Sequence, residues 1–207
     1  ILGLTELLIL DPTNAEYLRM LRTSTEKLDT TIRNINELIH FENDLGEKGL
    51  IDYNILQSVN NVLAQNNQVI KEQGLDIRTN VEKHLSIKCV PAYLDSILQN
   101  LVTNAIKYGT TERSNIIEIN GQKVRDNIEL QIKDYGSGID LDRFKDKLFK
   151  IGSRFHSSSE GQGLGLYMSK RQIESMGGDI EVESQPGKGT TFKVYFNAKG
   201  PENFFDR

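Results

Sequence analysis

One cysteine, Cys89, is all the chain has among its 207 residues. That excludes an internal disulfide framework and any cysteine-rich zinc site. Cys89 lies in the apolar run Leu85–Val90 and reads as a buried, inert thiol. Positive charge is not in excess either: 25 Lys and Arg stand against 29 Asp and Glu, and the net charge is -4. The whole-chain field therefore favours neither nucleic acid nor an anionic membrane. No apolar run is long enough to span a bilayer. The most apolar segment, Ile1–Leu10, carries Glu6 and stops at Asp11-Pro12. It also lacks the basic start and small-residue cleavage site of a signal peptide. An initiating Met and internal repeats are absent too, and the chain reads as a piece of something longer. Its hydrophobic fraction of 37% and charged fraction of 26% suit a folded domain with a real core.

Two helices are expected first. Ile1–Leu10 has a wide apolar stripe, and Asp11-Pro12-Thr13-Asn14 breaks it, with Thr13 or Asn14 as the cap of the next helix. That helix runs roughly from Asn14 to Asn43. Leu18, Leu21, Thr25, Leu28, Ile32, Ile35 and Ile39 follow at alternating spacings of three and four, a heptad seam interrupted by Thr25. So apolar a hairpin needs another surface. A homodimeric four-helix bundle through residues 1–43 is the economical answer, and an intramolecular helix layer is the other. A polar break, Asn43–Gly49, reads as a linker. The expected domains are 1–45, a partial helical hairpin, 46–200, a mixed α and β domain, and a tail at 201–207.

Beyond the linker, a short strand is expected at Gly49–Tyr53 and a helix over Asn54–Gln73, ended by Gly74. Strands follow at Leu75–Val81 and Leu85–Val90. Pro91 opens a helix to about Tyr108 with Leu94, Ile97, Leu98, Leu101 and Val102 inward. Ile116–Asn120 and Ile128–Lys133 form a hairpin. A short helix falls within Leu141–Ile151, a Ser- and Gly-rich segment over Arg154–Gln162, and a helix over Gly163–Met176. Strands at Asp179–Ser184 and Thr190–Asn197 close the domain. The irregular order favours an α+β, two-layer sandwich with a mixed sheet over a doubly wound fold.

Four segments carry chemistry. On the helix before Tyr108, Asn100 and Asn104 are one turn apart and share a face, with Lys107 nearly on the same side. An amide oxygen is a hard ligand suited to Mg²⁺, and an ammonium suits phosphate. Such a segment alone also describes an ordinary polar helix face. Asp134-Tyr135-Gly136-Ser137-Gly138 follows an apolar strand. A carboxylate there can accept from the exocyclic amine of adenine, although many turns share this pattern. Gly161-Gln162-Gly163-Leu164-Gly165-Leu166 leads into a helix and offers backbone N–H groups to phosphate. It is no Walker loop, for no Gly-Lys-Ser/Thr follows, and no strand precedes it as a dinucleotide fingerprint requires. Gly187-Lys188-Gly189-Thr190 is a tight turn entering a strand, and by itself an ordinary hairpin.

In this order the four segments resemble the ATPase domain shared by sensor histidine kinases, DNA gyrase, Hsp90-type chaperones and mismatch-repair ATPases. The order is that of the histidine kinases: an asparagine box, a first glycine box, a phenylalanine box at Leu148–Phe155, a second glycine box and a final Gly-Thr strand. The resemblance covers about Leu50 to Asn197. It implies that Asn104 ligates Mg²⁺, that Asn100 lies beside the triphosphate, and that Lys107 and Tyr108 contact phosphate or ribose. Asp134 would bind the adenine amine, supported by Gly136, Gly138 and Thr190. Gly161, Gly163, Leu164 and Gly165 would hold the lid and phosphates, with Arg154 a candidate γ-phosphate contact.

The implied function is an ATP-dependent protein histidine kinase of a two-component system. It would transfer the γ-phosphate of Mg·ATP to a histidine on the dimerisation helix, for passage to a response regulator receiver domain. The acceptor's His-Glu/Asn-X-X-X-Pro context is absent. The acceptor is expected upstream of Ile1, and His40, His84 and His156 read as structural or surface residues. The chain as written is therefore expected to bind ATP without phosphorylating itself. Cytoplasmic placement is expected, with no nucleic-acid partner, no membrane contact by this stretch, and a parent protein that can be membrane-tethered. The alternatives are an ATP-driven conformational switch or Ser/Thr kinase of the same fold, and a non-catalytic regulatory module.

Overall fold

A computed structural model describes residues 2–25, 28, 32, 50–109, 114–151 and 163–198. The chain divides into two compact units, Ile1–Leu45 and Gly46–Arg207. In the first unit, helix α1 spans Leu2–Leu10. Helix α2 covers residues 15–25, and 28 and 32 are also helical. Of the two candidate caps, Asn14 serves: its Oδ1 accepts from the N–H groups of Glu16 and Tyr17 at 3.0 and 3.1 Å. Thr13 instead donates to Asp11. Thr25 is accommodated in the seam because its hydroxyl donates back to the Leu21 carbonyl at 2.9 Å. Leu18, Leu28 and Ile32 remain about half exposed. Ile35, Ile39 and His40 lie outside the described residues.

The second unit is a two-layer sandwich. Strands β1 (Ile51–Asn54) and β3 (Ser86–Cys89) pair antiparallel as a small separate sheet. The main sheet contains β2 (Asp76–Val81), β4 (Ile116–Val124), β5 (Asn127–Asp134), β6 (Asp179–Gln185) and β7 (Gly189–Asn197). Its order is β2-β4-β5-β7-β6, with β2 parallel to β4 and the other pairs antiparallel. It is the mixed sheet expected.

Helices α3 (Ile55–Gln65), α5 (Pro91–Tyr108) and α7 (Gly165–Ser175) are the main elements of the helical layer, and α5 contacts both others. Pro91 sits in the first turn of α5, where its missing N–H costs nothing. Leu94, Ile97, Leu98, Leu101 and Val102 are essentially inaccessible, so the expected inner face is the actual one. The helix expected over 54–73 is two: it breaks at Asn66 before α4 (Asn67–Glu72). There the Asn66 amide donates to the Val62 carbonyl at 2.8 Å and to Gln99 on α5 at 3.0 Å, a tertiary anchor. Between β5 and α7 lie a one-turn α6 (Leu141–Phe144) and the 3₁₀ turn Lys145–Lys147. Cys89 is fully buried. Burial first, then the Asp95 and Asp52 carboxylates, pushes its thiol up to about 12, so it is unreactive at neutral pH.

Candidate functional site: a nucleotide pocket

The period-two pattern of the strands delivers the first site residue. On β5, Ile128, Leu130 and Ile132 point into the core, and Asp134 takes the next inward position. On β7, Thr190 continues the inward series of Phe192, Val194 and Phe196. Lys133 pairs with Thr191, so Asp134 and Thr190 meet at one end of adjacent strands. Asp134 is only 7% exposed, and its Oδ1 accepts from the N–H groups of Gly136 at 2.9 Å and Thr190 at 3.2 Å. One carboxylate oxygen is thus committed; Oδ2 accepts no hydrogen bond among the described residues and is free to meet a ligand. Burial raises the Asp134 pKa, and the two N–H bonds oppose that shift.

Neighbouring loops are pressed against this carboxylate. A Cβ on Gly136 would collide with the Tyr108 carbonyl oxygen and lie within 2.7 Å of Gly109, so only glycine lets the loop meet the end of α5. The Tyr108 carbonyl accepts from the Ser137 N–H at 3.0 Å. Gly138 lies one residue on, and the following Ile139 N–H donates to Ser184 Oγ at 2.7 Å. Ser184 donates in turn to the Gly189 carbonyl, and its oxygen also lies 3.0 Å from Thr190 Oγ1. The Gly187 N–H donates to the Ser137 carbonyl at 2.7 Å. The first glycine segment and the Gly-Thr turn therefore form one hydrogen-bonded wall around Asp134.

The asparagine helix and the second glycine segment form the other end. Ser96 on α5 accepts from Gln172 Nε2 of α7 at 3.2 Å, and Asn100 Nδ2 donates to Ser169 Oγ at 2.7 Å. The two bonds run in opposite order along the helices, so α5 and α7 cross antiparallel. One turn further along α5, Asn104 lies toward the N-terminal end of α7, where Gly163, Leu164 and Gly165 sit. Leu164 caps that end without a side-chain hydrogen bond. Among the described residues no side chain caps its first N–H groups, an arrangement that suits an anion. Asn104 Nδ2 points to Asn100 Oδ1 at 3.5 Å, which turns Asn104 Oδ1 away as a hard oxygen donor. That donor fits Mg²⁺ completed by phosphate and water. No group of three or more His, Cys, Asp or Glu able to hold a metal occurs among the described residues. Lys107 is exposed on the same helix, and Tyr108 is half buried. Gly161, Arg154 and His156 lie outside the described residues.

Sequence reasoning missed Ser184, Ser169 and Gly109. Ser184 matters because register sets it opposite Thr190. Ser169 matters because the helix crossing sets it against Asn100. A Cβ on Gly109 would lie 2.6 Å from the Asp134 Cβ. Only its place at the end of α5 could have drawn attention to it.

Comparison with known proteins agrees with this geometry. Residues 89–200 match the histidine kinase-, DNA gyrase B- and HSP90-like ATPase family. The chain belongs to that family. It is 29% identical to the signal transduction histidine-protein kinase BarA of Escherichia coli over 210 aligned positions, 95% of this chain and 22% of BarA. It is 31% identical to the sensor histidine kinase GacS of Pseudomonas protegens, again over 95% of this chain and 23% of the relative. The chain thus spans less than a quarter of either. Among solved structures, the Acinetobacter baumannii histidine kinase AdeS shares the fold, with a TM-score of 0.76 at 21% identity over 95% of this chain and 92% of that one. Family, relatives and fold agree on the ATPase catalytic domain of a sensor histidine kinase.

Proposed function

We propose that the chain binds Mg·ATP and supplies the kinase half of a two-component phosphorelay. The observation that carries this reading is Asp134, buried at a strand end with one oxygen held by Gly136 and Thr190 and the other available. Oδ2 accepts from the exocyclic amine of adenine, and the Gly136–Gly138 loop lies against the flat base. Lys107, and the N–H groups of Gly163, Leu164 and Gly165, face the phosphates, with Gly161 and Tyr108 as further contacts. Asn104 Oδ1 and the phosphate oxygens hold Mg²⁺, with Asn100 beside the triphosphate. Mg²⁺, when bound, neutralises charge that develops on the transferred phosphoryl group. The chain's own share is positioning: it clamps base and phosphates so that the γ-phosphate meets an incoming imidazole in line.

The phosphoryl group passes to a histidine of the dimerisation helix and from there to an aspartate of a response regulator receiver domain. Homodimerisation runs through residues 1–43, supported by the half-exposed Leu18, Leu28 and Ile32 on α2. The working domains are 1–45 and 46–200, with 201–207 as a tail. The site acts in the cytoplasm, where ATP and receiver domains meet. Among the described residues no helix is long and apolar enough to cross a membrane.

The test is incubation of the chain with γ-labelled ATP and a longer version that carries an acceptor-histidine helix. Acid-labile, base-stable label on that helix is expected, and much less of it with Asp134→Asn at limiting ATP. Label on serine or threonine, or hydrolysis of ATP with no label transferred, would overturn the kinase reading in favour of a Ser/Thr kinase or an ATP-driven switch.

A further inference from the structure

We propose that Ser169 is a positioning residue for the metal, acting through two asparagine amides; the inference rests on the reading that Asn104 ligates Mg²⁺. An amide has two unlike ends, and fixing one fixes the other. Ser169 is 1% exposed, and its Oγ accepts from Asn100 Nδ2 at 2.7 Å. Asn100 Oδ1 is thereby turned toward Asn104 and receives Asn104 Nδ2 at 3.5 Å. The remaining end of Asn104, its oxygen, is presented to the ligand. The polarity of the whole row is set by one hydroxyl on α7.

A second observation restricts the escape routes. A Cβ on Gly165, one turn before Ser169, would overlap the Asn100 amide, with its Cγ only 2.9 Å away. The amide is wedged against the backbone of α7 and can reverse only by flipping in place. A flipped Asn100 offers its NH₂ to Asn104. Asn104 then turns its oxygen inward and its own NH₂ outward, so that two N–H dipoles face a cation. Loss of the Ser169 acceptor therefore weakens metal-dependent binding without touching the adenine end.

The experiment is calorimetric titration of the whole chain with ATP in Mg²⁺ and with ATP in chelator. Ser169→Ala is expected to lower the Mg²⁺ enhancement of ATP affinity about tenfold, the lower end of the effect of outer-shell partners on metal affinity. Metal-free ATP affinity should stay within about twofold, the adenine contacts being unaltered. Ser169→Thr, which keeps the oxygen, restores the enhancement. In an Asn104→Ala background, Ser169→Ala adds nothing further. Ser169→Cys, of similar size but a weak acceptor, carries the same test if the alanine variant does not fold. If Asn104→Ala abolishes the enhancement and the Ser169 variants leave it intact, the positioning role is overturned and the Asn104 assignment stands. If Asn104→Ala leaves the enhancement intact, the metal reading falls first and this inference with it.

Discussion

In Asp134→Asn a buried carboxylate becomes an amide of nearly the same shape. The wild-type Oδ1 holds the N–H groups of Gly136 and Thr190 at 2.9 and 3.2 Å. The amide oxygen keeps both, since reversing the amide would set its NH₂ against two N–H donors. The NH₂ must then replace Oδ2, and an acceptor becomes a donor at the point where adenine presents a donor. The lost bond to a charged acceptor is worth about 1.5–3 kcal/mol. At about 1.4 kcal/mol per decade, ATP affinity should fall roughly 10- to 150-fold.

Guanine carries a carbonyl oxygen where adenine carries its amine, so GTP should gain on the same substitution. The assay is competition of ATP and GTP against a fluorescent nucleotide. The ATP-to-GTP preference of the wild type should shrink from both sides. An unchanged preference would refute the assignment of Asp134 to the base.

Stability keeps this variant interpretable. Burial, opposed by the two N–H bonds, holds the folded pKa of Asp134 above its ordinary value of 3.8. The folded state then binds more protons than the unfolded one between the two values, so stability falls as pH rises through that window. Above it the cost of the buried charge is fully present. Asp134→Asn removes that cost, so the ligand-free variant should melt no lower than wild type at neutral pH. Its stability should also lose the part of the fall that begins just above pH 3.8.

Two further outcomes are expected. Gly136→Ala should cost upwards of about 4 kcal/mol or prevent folding, because the new methyl meets the backbone of Tyr108 and Gly109 rather than a movable side chain; a variant that melts within a degree or two of wild type would refute the close approach. Light scattering at micromolar concentration should give twice the chain mass, and Leu28→Asp or Ile32→Asp should shift it toward the monomer. Each residue is about half exposed in the single chain, so burial of the remainder contributes roughly 1 kcal/mol per copy. A monomeric wild type would sink the seam argument.

Local chemistry was legible in advance. Pro91 at the start and a continuous apolar face located α5 from Pro91 to about Tyr108, since these are one-dimensional signals. Alternation located the β4–β5 hairpin and left Asp134 at its end. Gly74, with φ +62, stops α4 as expected of a glycine just past a helix. Asn14 was one of two caps that composition allowed, and the choice went to the side chain that could reach two N–H groups at once.

Contacts between distant segments were not legible. The break at Asn66 depends on Gln99, 33 residues away, and nothing in the Asn54–Gln73 pattern announces it. β1 and β3 read as strands, but their withdrawal into a separate two-stranded sheet follows from three-dimensional pairing. Oδ1 of Asp134 is committed by the N–H of Thr190, 56 residues on, once β5 and β7 are in register. The polarity of the asparagine pair is set by Ser169, 69 residues beyond Asn100, where α7 crosses α5. Sequence determined which side chains could act, because residue type and period are local properties. Only the tertiary structure decided which atom of each is committed and which is left for the nucleotide, because hydrogen-bond partners are chosen by packing.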